Sequence, residues 1–164
     1  MDARPGDFGL VRIEGGAGRM IRFGQWLNGD GFADFEHAFV YVGDGRIVEA
    51  EPGGARETGL ADYDGRPIAW STGKVQVTDV QRAWVVAAAY SYRGVPYSFA
   101  DYSSLTLARF HARLPLVRRF VADTGHMICS QLVDQCYQDA GVRLFADGRW
   151  PGDVTPGDLY RLIR

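Results

Sequence analysis

Two short runs of strand-forming residues joined by a glycine-rich turn constrain the fold of this chain more than any other feature. The first run covers residues 36–42 and the second covers residues 46–50, with Gly43, Asp44 and Gly45 between them. Both runs are rich in β-branched and aromatic residues, and Gly-Asp-Gly is a tight-turn sequence. The pattern therefore predicts a β-hairpin.

The register of this hairpin decides which polar side chains share a face. A three-residue turn pairs Val42 with Arg46, and Phe39 then faces Glu49. His37 and Glu49 become diagonal neighbours on one face, with their backbones roughly 7 to 8 Å apart. A two-residue turn would place them on opposite faces of the sheet. We predict the three-residue turn, and with it a His37–Glu49 contact.

A helix is predicted over residues 128–140, because apolar or small residues recur there at the spacing of one helical face. Gly141 stands where a left-handed C-terminal cap would end it. Cys129 then lies in the first turn and faces inward, where the partial positive charge of the helix favours a nucleophilic thiolate. A cysteine on an apolar stripe is more often a buried structural residue, and that alternative stays open on this feature alone.

The two cysteines of the chain, Cys129 and Cys136, are predicted to be free thiols. Seven residues along a helix separate their Cα atoms by roughly 10 Å. A disulfide needs less than about 7 Å. Free thiols suit a reducing compartment.

Other segments give weaker signals. A basic amphipathic segment at residues 103–122 alternates apolar residues with arginines, and Pro115 is expected to divide it into two helices. Such a segment is typical of a lid, a docking hairpin or a membrane-surface element, and equally of an insertion with solvated arginines. The remaining expectations are a strand at 8–13, a short helix at 20–27, mostly loop at 51–74, a strand at 74–77, a helix at 80–93 capped by Asp79, and a strand or helical turn at 159–163.

Composition sets the class of protein. With 164 residues, 46% of them hydrophobic and 23% charged, the chain is expected to form one globular domain. A formal net charge of -2 gives no attraction to nucleic acid, so we expect no nucleic-acid partner. The N-terminus has no signal-peptide pattern, and no run of 18 apolar residues occurs. We therefore expect a protein that is neither secreted through a cleavable signal nor membrane-spanning.

Cys129, His37 and Glu49 form a candidate Cys-His-acid set. In such a set the imidazole accepts the thiol proton, the carboxylate fixes the imidazole tautomer, and the thiolate attacks a carbonyl. His37 as a satisfied core histidine and Glu49 as a solvent-facing residue are the competing interpretations. The three histidines are widely separated, and the sequence has no closely spaced pair of metal ligands. We therefore expect no metal and no other cofactor.

Several motifs resemble those of NlpC-type cell-wall peptidases, in reversed order. Gly-Val-Pro-Tyr at 94–97, Cys-Ser-Gln-Leu-Val at 129–133 and Gly-Val at 141–142 resemble the N-terminal half of those enzymes. Their C-terminal half has a Pro-Gly-Asp turn, a strand, a His-led strand, a Gly-x-Gly turn and a further strand. Here that half comes first, from Pro-Gly-Asp-Phe at 5–8 to the hairpin ending at Ala50. Pro-Gly-Asp occurs again at 156–158, which fits a circular permutation cut near that turn.

The chain thus resembles the circularly permuted branch of the papain-like superfamily, which includes YiiX-like proteins and the lecithin retinol acyltransferase group. The resemblance implies an α+β fold in a single domain over residues 1–164, with a central antiparallel sheet against the cysteine helix and a helical insertion at 103–122. It implies Cys129 as nucleophile, His37 as general base, Glu49 as the orienting residue and Tyr97 near the oxyanion. Ile128 and Gln131 replace the usual Asp and Gly of the cysteine motif, and Tyr97 lies farther from the cysteine than in the unpermuted family.

These motifs lead us to expect a cysteine peptidase or amidase that hydrolyses an amide in a peptide or peptidoglycan-like substrate. Without a signal peptide, it would be cytoplasmic, or reach a cell wall through a phage particle or a non-classical secretion system. One alternative is a lipid acyltransferase or thioesterase that uses the same site, with residues 103–122 facing a membrane. A binding or structural module with an unused site is the other.

Overall fold

A five-stranded antiparallel sheet forms the centre of the molecule in the computed structural model, which describes residues 3–12, 35–51, 54–95 and 129–164. The strands lie in the order β4-β3-β2-β1-β5, so that β4 and β5 are the edges. Their bounds are β1 Phe8–Val11, β2 His37–Gly43, β3 Arg46–Glu51, β4 Gly54–Gly59 and β5 Ile68–Trp70.

Three α-helices accompany the sheet within the described residues: α1 Asp79–Ser91, α2 Cys129–Asp139 and α3 Pro156–Ile163. The fold is therefore α+β, with the cysteine helix α2 packed against β2 and β3. In the described part of the chain, no helix has the length and apolar character that crossing a membrane requires.

The predicted hairpin is β2 and β3. Phe39 pairs with Glu49, as the sequence predicts, and Val40 and Tyr41 pair with Val48 and Ile47. The pairing then shifts, and it is Gly43 rather than Val42 that lies opposite Arg46. The prediction was wrong at this point because a bulge absorbs one residue next to the turn.

The two faces of the sheet bury different clusters. Alternate residues of β2 point to opposite faces. The larger core lies between the sheet and the helices and includes Phe8, Leu10 and Val40 with Leu132 and Tyr137 of α2. The smaller cluster, on the other face, consists of Val11, Phe39, Ile47 and Tyr63.

Local sequence explains where the helices begin and end. Thr78, not Asp79, is the N-cap of α1, and it forms a capping box with Gln81. Beyond α2, the amide of Val142 donates to the Tyr137 carbonyl and Gly141 has a φ of 72°. This is a Schellman cap, as predicted from the glycine. It fixes the C-terminal end of the helix that carries Cys129.

A buried ion pair ties β1 to α1. Asp7, in the turn before β1, is 1% exposed and accepts a 2.7 Å bond from Nη1 of Arg82. Its other oxygen accepts bonds from the hydroxyl of Thr72 and the amide of Arg4. A buried carboxylate with this many donors holds the start of the sheet against the first helix.

Two further predictions were wrong. Residues 51–74 contain β4, a 3₁₀ helix at Leu60–Tyr63 and β5, where mostly loop was expected. Residues 74–77 form no strand. Of the two alternatives expected at 159–163, a strand or a helical turn, the structure has the helical one, and the helix begins earlier, at Pro156. The helix expected at 20–27, the insertion expected at 103–122 and Tyr97 lie outside the described residues.

Candidate active site

His37 and Glu49 meet across the hairpin. His37 opens β2, and Glu49 lies opposite Phe39 on β3, so the two side chains are diagonal neighbours on one face. Nε2 of His37 lies 2.8 Å from Oε2 of Glu49. The two residues are 2% and 0% exposed, so the hydrogen bond is shielded from water. The contact predicted from the hairpin register is present.

Cys129, which lies far from His37 in the sequence, contacts the same histidine. It is the first residue of α2, is 6% exposed, and forms a side-chain hydrogen bond with His37. Because Nε2 of the imidazole faces Glu49, Nδ1 is the nitrogen left for the thiol. The histidine therefore lies between a thiol and a carboxylate, each with its own ring nitrogen.

The surroundings of His37 favour the imidazolium. Burial lowers the pKa of this group, but the hydrogen bonds and charges of Cys129 and Glu49 outweigh burial and raise the pKa to about 10. Burial likewise opposes the charged form of Glu49, and its bonds to His37 and its other partners hold its pKa below the ordinary value. An anionic carboxylate can only accept, so Nε2–H of His37 donates to it.

Two residues of the segment after the hairpin complete the coordination of Glu49. Nε and Nη2 of Arg56 on β4 donate to Oε1 at 3.2 and 3.0 Å. The hydroxyl of Tyr63, in the 3₁₀ helix, donates to Oε2 at 2.5 Å. Burial and this bond raise the pKa of Tyr63, which keeps the hydroxyl protonated as a donor. The carboxylate thus has four donors from three residues.

Aromatic rings cover the sheet face beside this network. Phe39 stacks on Tyr63 with ring centroids 5.6 Å apart, and its edge meets Trp70 at 5.5 Å. The guanidinium of Arg66 lies over the outer side of Tyr63 at 5.5 Å. These contacts fix the Tyr63 ring, and with it the hydroxyl that donates to Glu49.

One group of potential metal ligands coincides with this site. Ligand atoms of His37, Glu49 and Glu51 lie within 4.8 Å of one another. Nη2 of Arg56, however, bridges Glu49 at 3.0 Å and Glu51 at 2.6 Å, where a cation would sit between the carboxylates. We therefore assign the group to the hydrogen-bond network and no metal to it.

The second cysteine has a different environment. Cys136 is fully buried in the larger core, and burial raises the pKa of its thiol. It faces neither His37 nor Glu49, being packed with apolar residues of the helices. Both cysteines are free, as predicted.

The structure thus brings Cys129, His37 and Glu49 together, and the predicted oxyanion residue Tyr97 lies outside the described residues. Sequence reasoning missed Arg56 and Tyr63. The sequence signal for Arg56 was its position, since a third strand after the hairpin would pair with β3 and set an arginine beside Glu49.

No model of a known protein family matches this chain, and no curated protein matches it either.

Proposed function

We propose that this protein is a cysteine hydrolase that cleaves an amide bond, with Cys129 as nucleophile, His37 as general acid and base, and Glu49 as the residue that orients His37. The observation that carries the proposal is the buried histidine whose two ring nitrogens face a thiol and a carboxylate. A thiol at one ring nitrogen and a carboxylate at the other is the arrangement in which a histidine activates a cysteine nucleophile.

The chemistry follows from the protonation states. In this proposal the Cys129 sulfur attacks the carbonyl carbon of the substrate in its thiolate form, with the His37 imidazolium as its cationic partner. His37 then donates its Nδ1 proton to the amide nitrogen, the C–N bond breaks, and an amine leaves behind a thioester. Water next attacks the thioester while His37 accepts its proton, the C–S bond breaks, and a carboxylic acid and the Cys129 thiolate are released beside the imidazolium. Each proton that leaves His37 in the first half returns to it in the second.

The start of α2 supplies stabilisation for the tetrahedral intermediate. The first amides of an α-helix have no partner within the helix and carry partial positive charge. Cys129 is the first residue of this helix, so a carbonyl oxygen of a substrate bonded to its sulfur would lie near these amides. In this proposal the helix start is the core of the oxyanion site, and Tyr97 is a further donor whose place stays a prediction.

The substrate class in this proposal is a peptide, with a peptidoglycan stem peptide as the favoured example. The support is the resemblance of the motifs to permuted NlpC-type, YiiX-like proteins, together with a His-led β-hairpin and a Cys-led helix in the order that a permutation would give. In the same proposal the fold is a permuted papain-like fold. Delivery of the protein to a cell wall by a phage particle or a secretion system belongs to this version of the function.

A substrate panel tests the proposal. Muropeptides, unmodified peptides and acyl esters are incubated with the wild type, Cys129→Ala and Cys136→Ala, and products are identified by mass spectrometry. We expect amide cleavage by the wild type and by Cys136→Ala, and a loss of at least a thousandfold in Cys129→Ala. Cleavage confined to esters, or acyl transfer to a second substrate, would instead favour the acyltransferase or thioesterase.

A substrate-independent measurement separates any enzyme from a binding module. Brief iodoacetamide treatment should modify Cys129 at least a hundredfold faster than Cys136 at pH 7, because His37 bonds the first thiol and apolar groups surround the second. Equal and slow modification of the two thiols would refute the proposed hydrolase.

A further inference from the structure

We infer that Arg56 and Tyr63 are positioning residues of this active site, which act through Glu49 to keep His37 paired with Cys129. The inference rests on the proposed function, because it assigns these two residues a role in activating the same thiol. Neither residue was part of the Cys-His-acid set expected from the sequence. Both contact the oxygens of Glu49 directly.

The first argument is the geometry of the carboxylate. Oε2 of Glu49 accepts hydrogen bonds from Nε2 of His37 at 2.8 Å and from the Tyr63 hydroxyl at 2.5 Å. Oε1 receives both donor nitrogens of Arg56. With donors on both oxygens, the carboxylate cannot rotate about its last bond without losing at least two hydrogen bonds. Oε2 is therefore held facing the imidazole.

The second argument is the cost of burying this charge. Glu49 is 0% exposed, and a fully buried carboxylate is stable only when charged or strongly polar partners replace water. Arg56 supplies a compensating charge from edge strand β4, and its side chain is 55% exposed. The arginine therefore stabilises the anion while more than half of its own side-chain surface stays in contact with water, so that its loss of hydration is small.

The third argument concerns the balance of charge around Glu49. Arg56 contacts the carboxylate, whereas the Arg66 guanidinium lies over the Tyr63 ring. Glu51 shares Nη2 of Arg56 and so competes for that charge. Among the residues that the structure describes, the charged and titratable groups facing Glu49 or its direct partners are His37 on β2, Glu51 on β3, Arg56 on β4, Tyr63 and Arg66 in and after the 3₁₀ helix, and Cys129 on α2.

The effect of removing Arg56 on the reactivity of Cys129 should therefore be largest at acid pH. Burial raises the pKa of Glu49, but the hydrogen bonds and charges of its partners, Arg56 among them, outweigh burial and hold the pKa below its ordinary value. Without the arginine, Glu49 takes up a proton at a higher pH, and the imidazolium loses the anion that stabilises it. The imidazolium of His37 is then less favoured, and without this cationic partner Cys129 reacts more slowly with an electrophile.

The test compares Arg56→Gln and Tyr63→Phe with two matched controls. Arg46→Gln removes an arginine of the same sheet that pairs with Glu57, away from the site. Tyr41→Phe removes a hydroxyl on the same face of β2 that accepts a bond from the amide of Gly45. The measured quantity is the rate of Cys129 alkylation by iodoacetamide from pH 4 to pH 9, followed by mass spectrometry.

For each protein, the alkylation rate of Cys129 at pH 5 is divided by its rate at pH 8. For Arg56→Gln we expect this ratio to be about tenfold lower than for the wild type. Arg56→Lys, which keeps the charge but not the two-point contact, should recover part of this loss. Tyr63→Phe should lower the alkylation rate severalfold across the whole range, because Oε2 loses the donor that fixes its direction. The two controls should follow the wild-type profile.

Each outcome separates the inference from the proposed function. If Cys129 of the wild type reacts no faster than Cys136, the proposed function fails. If Cys129 reacts fast but both Arg56→Gln and Tyr63→Phe keep the wild-type profile, the positioning role is overturned and the hydrolase stands. An equal acid-side loss in Arg46→Gln also overturns it, because general surface charge would explain the effect. Thermal unfolding of every variant establishes that folded proteins are compared.

Discussion

The substitution Glu49→Gln tests the electrostatics of the site most directly, because it removes a charge and keeps the shape of the side chain. The glutamine oxygen can still accept from Nε2 of His37 in the place where Oε2 now lies at 2.8 Å. Two unit charges about 4 Å apart interact by about 4 kcal/mol at an effective dielectric constant of about 20. One pKa unit corresponds to about 1.36 kcal/mol, so this interaction energy corresponds to about 3 pKa units.

The pKa of His37 should fall accordingly. Its value of about 10 results from burial, which lowers it, and from the hydrogen bonds and charges of Cys129 and Glu49, which raise it. Burial remains in Glu49→Gln while the charge of residue 49 is lost. A fall of this size would bring the pKa back toward the ordinary range of histidine. At pH 8 the imidazolium of the wild type should then become a neutral imidazole in the variant.

The assay is the nitrogen–proton correlation spectrum of the imidazole rings, recorded between pH 5 and pH 10. The chain has three histidines, so His37 is assigned by comparison with His37→Gln. Wild-type His37 should show two protonated ring nitrogens at pH 8, and Glu49→Gln only one. Alkylation of Cys129 at pH 7 should fall more than tenfold in parallel, because the thiol loses its cationic partner.

Glu51→Gln is the matched control for this experiment. Glu51 is two residues along the same strand and also contacts Arg56, at 2.6 Å, but the structure gives it no hydrogen bond to His37. The pKa of His37 should fall less in this variant than in Glu49→Gln, because Glu51 makes no hydrogen bond to the imidazole and its charge is paired with Arg56. An unchanged His37 titration in Glu49→Gln, or an equal change in Glu51→Gln, would refute the assignment of Glu49 as a residue that raises the pKa of His37.

Three further substitutions test the fold around the site by thermal unfolding. Gly9→Ala places a Cβ 2.5 Å from the Phe39 ring, which stacked neighbours hold in place, so the melting temperature should fall by several degrees; an unchanged value would contradict this packing. Arg82→Met leaves the buried Asp7 without its cation and should cost about 3 kcal/mol, whereas a neutral result would refute a structural role for the pair. Burial raises the pKa of Asp134, so the folded protein binds this proton more tightly than the unfolded chain and stability falls as the pH rises above about 3.8. Asp134→Asn should therefore stabilise the protein at pH 7 but not at pH 3, and a gain equal at both values would contradict the charge argument.

The hairpin could be predicted because its determinants are local. Alternation of apolar and polar residues assigns His37 and Phe39 to one face, and Gly43 and Gly45 adopt the positive φ angles of 104° and 68° that favour glycine. The pairing of Phe39 with Glu49 was correct for this reason. The bulge beside Gly43 was not predictable, since an extra residue near a turn leaves the same sequence pattern.

Arg56 and Tyr63 escaped prediction for a physical reason. Strand β4 is an edge strand, and only its first two residues are buried, so it lacks the regular alternation that marks a half-buried strand. Tyr63 belongs to a single 3₁₀ turn between acidic and glycine residues, which is typical of a loop. Their roles depend on pairing with β3 and on packing against Phe39, and both contacts are tertiary.

The contact between Cys129 and His37 joins residues from opposite ends of the chain, and no local pattern could place it. Resemblance to permuted enzymes suggested it, and the two Pro-Gly-Asp motifs were part of that argument. In the structure the motifs differ: Asp7 of the first lies in a turn before β1 and pairs with Arg82, whereas Asp158 of the second forms the capping box that begins α3. The repeated sequence is therefore no structural repeat, and the permutation hypothesis rests instead on the order of the His-led hairpin and the Cys-led helix. Those two elements also contain the atoms that would react, so the proposed chemistry depends on a tertiary contact that the local sequence pattern could not predict.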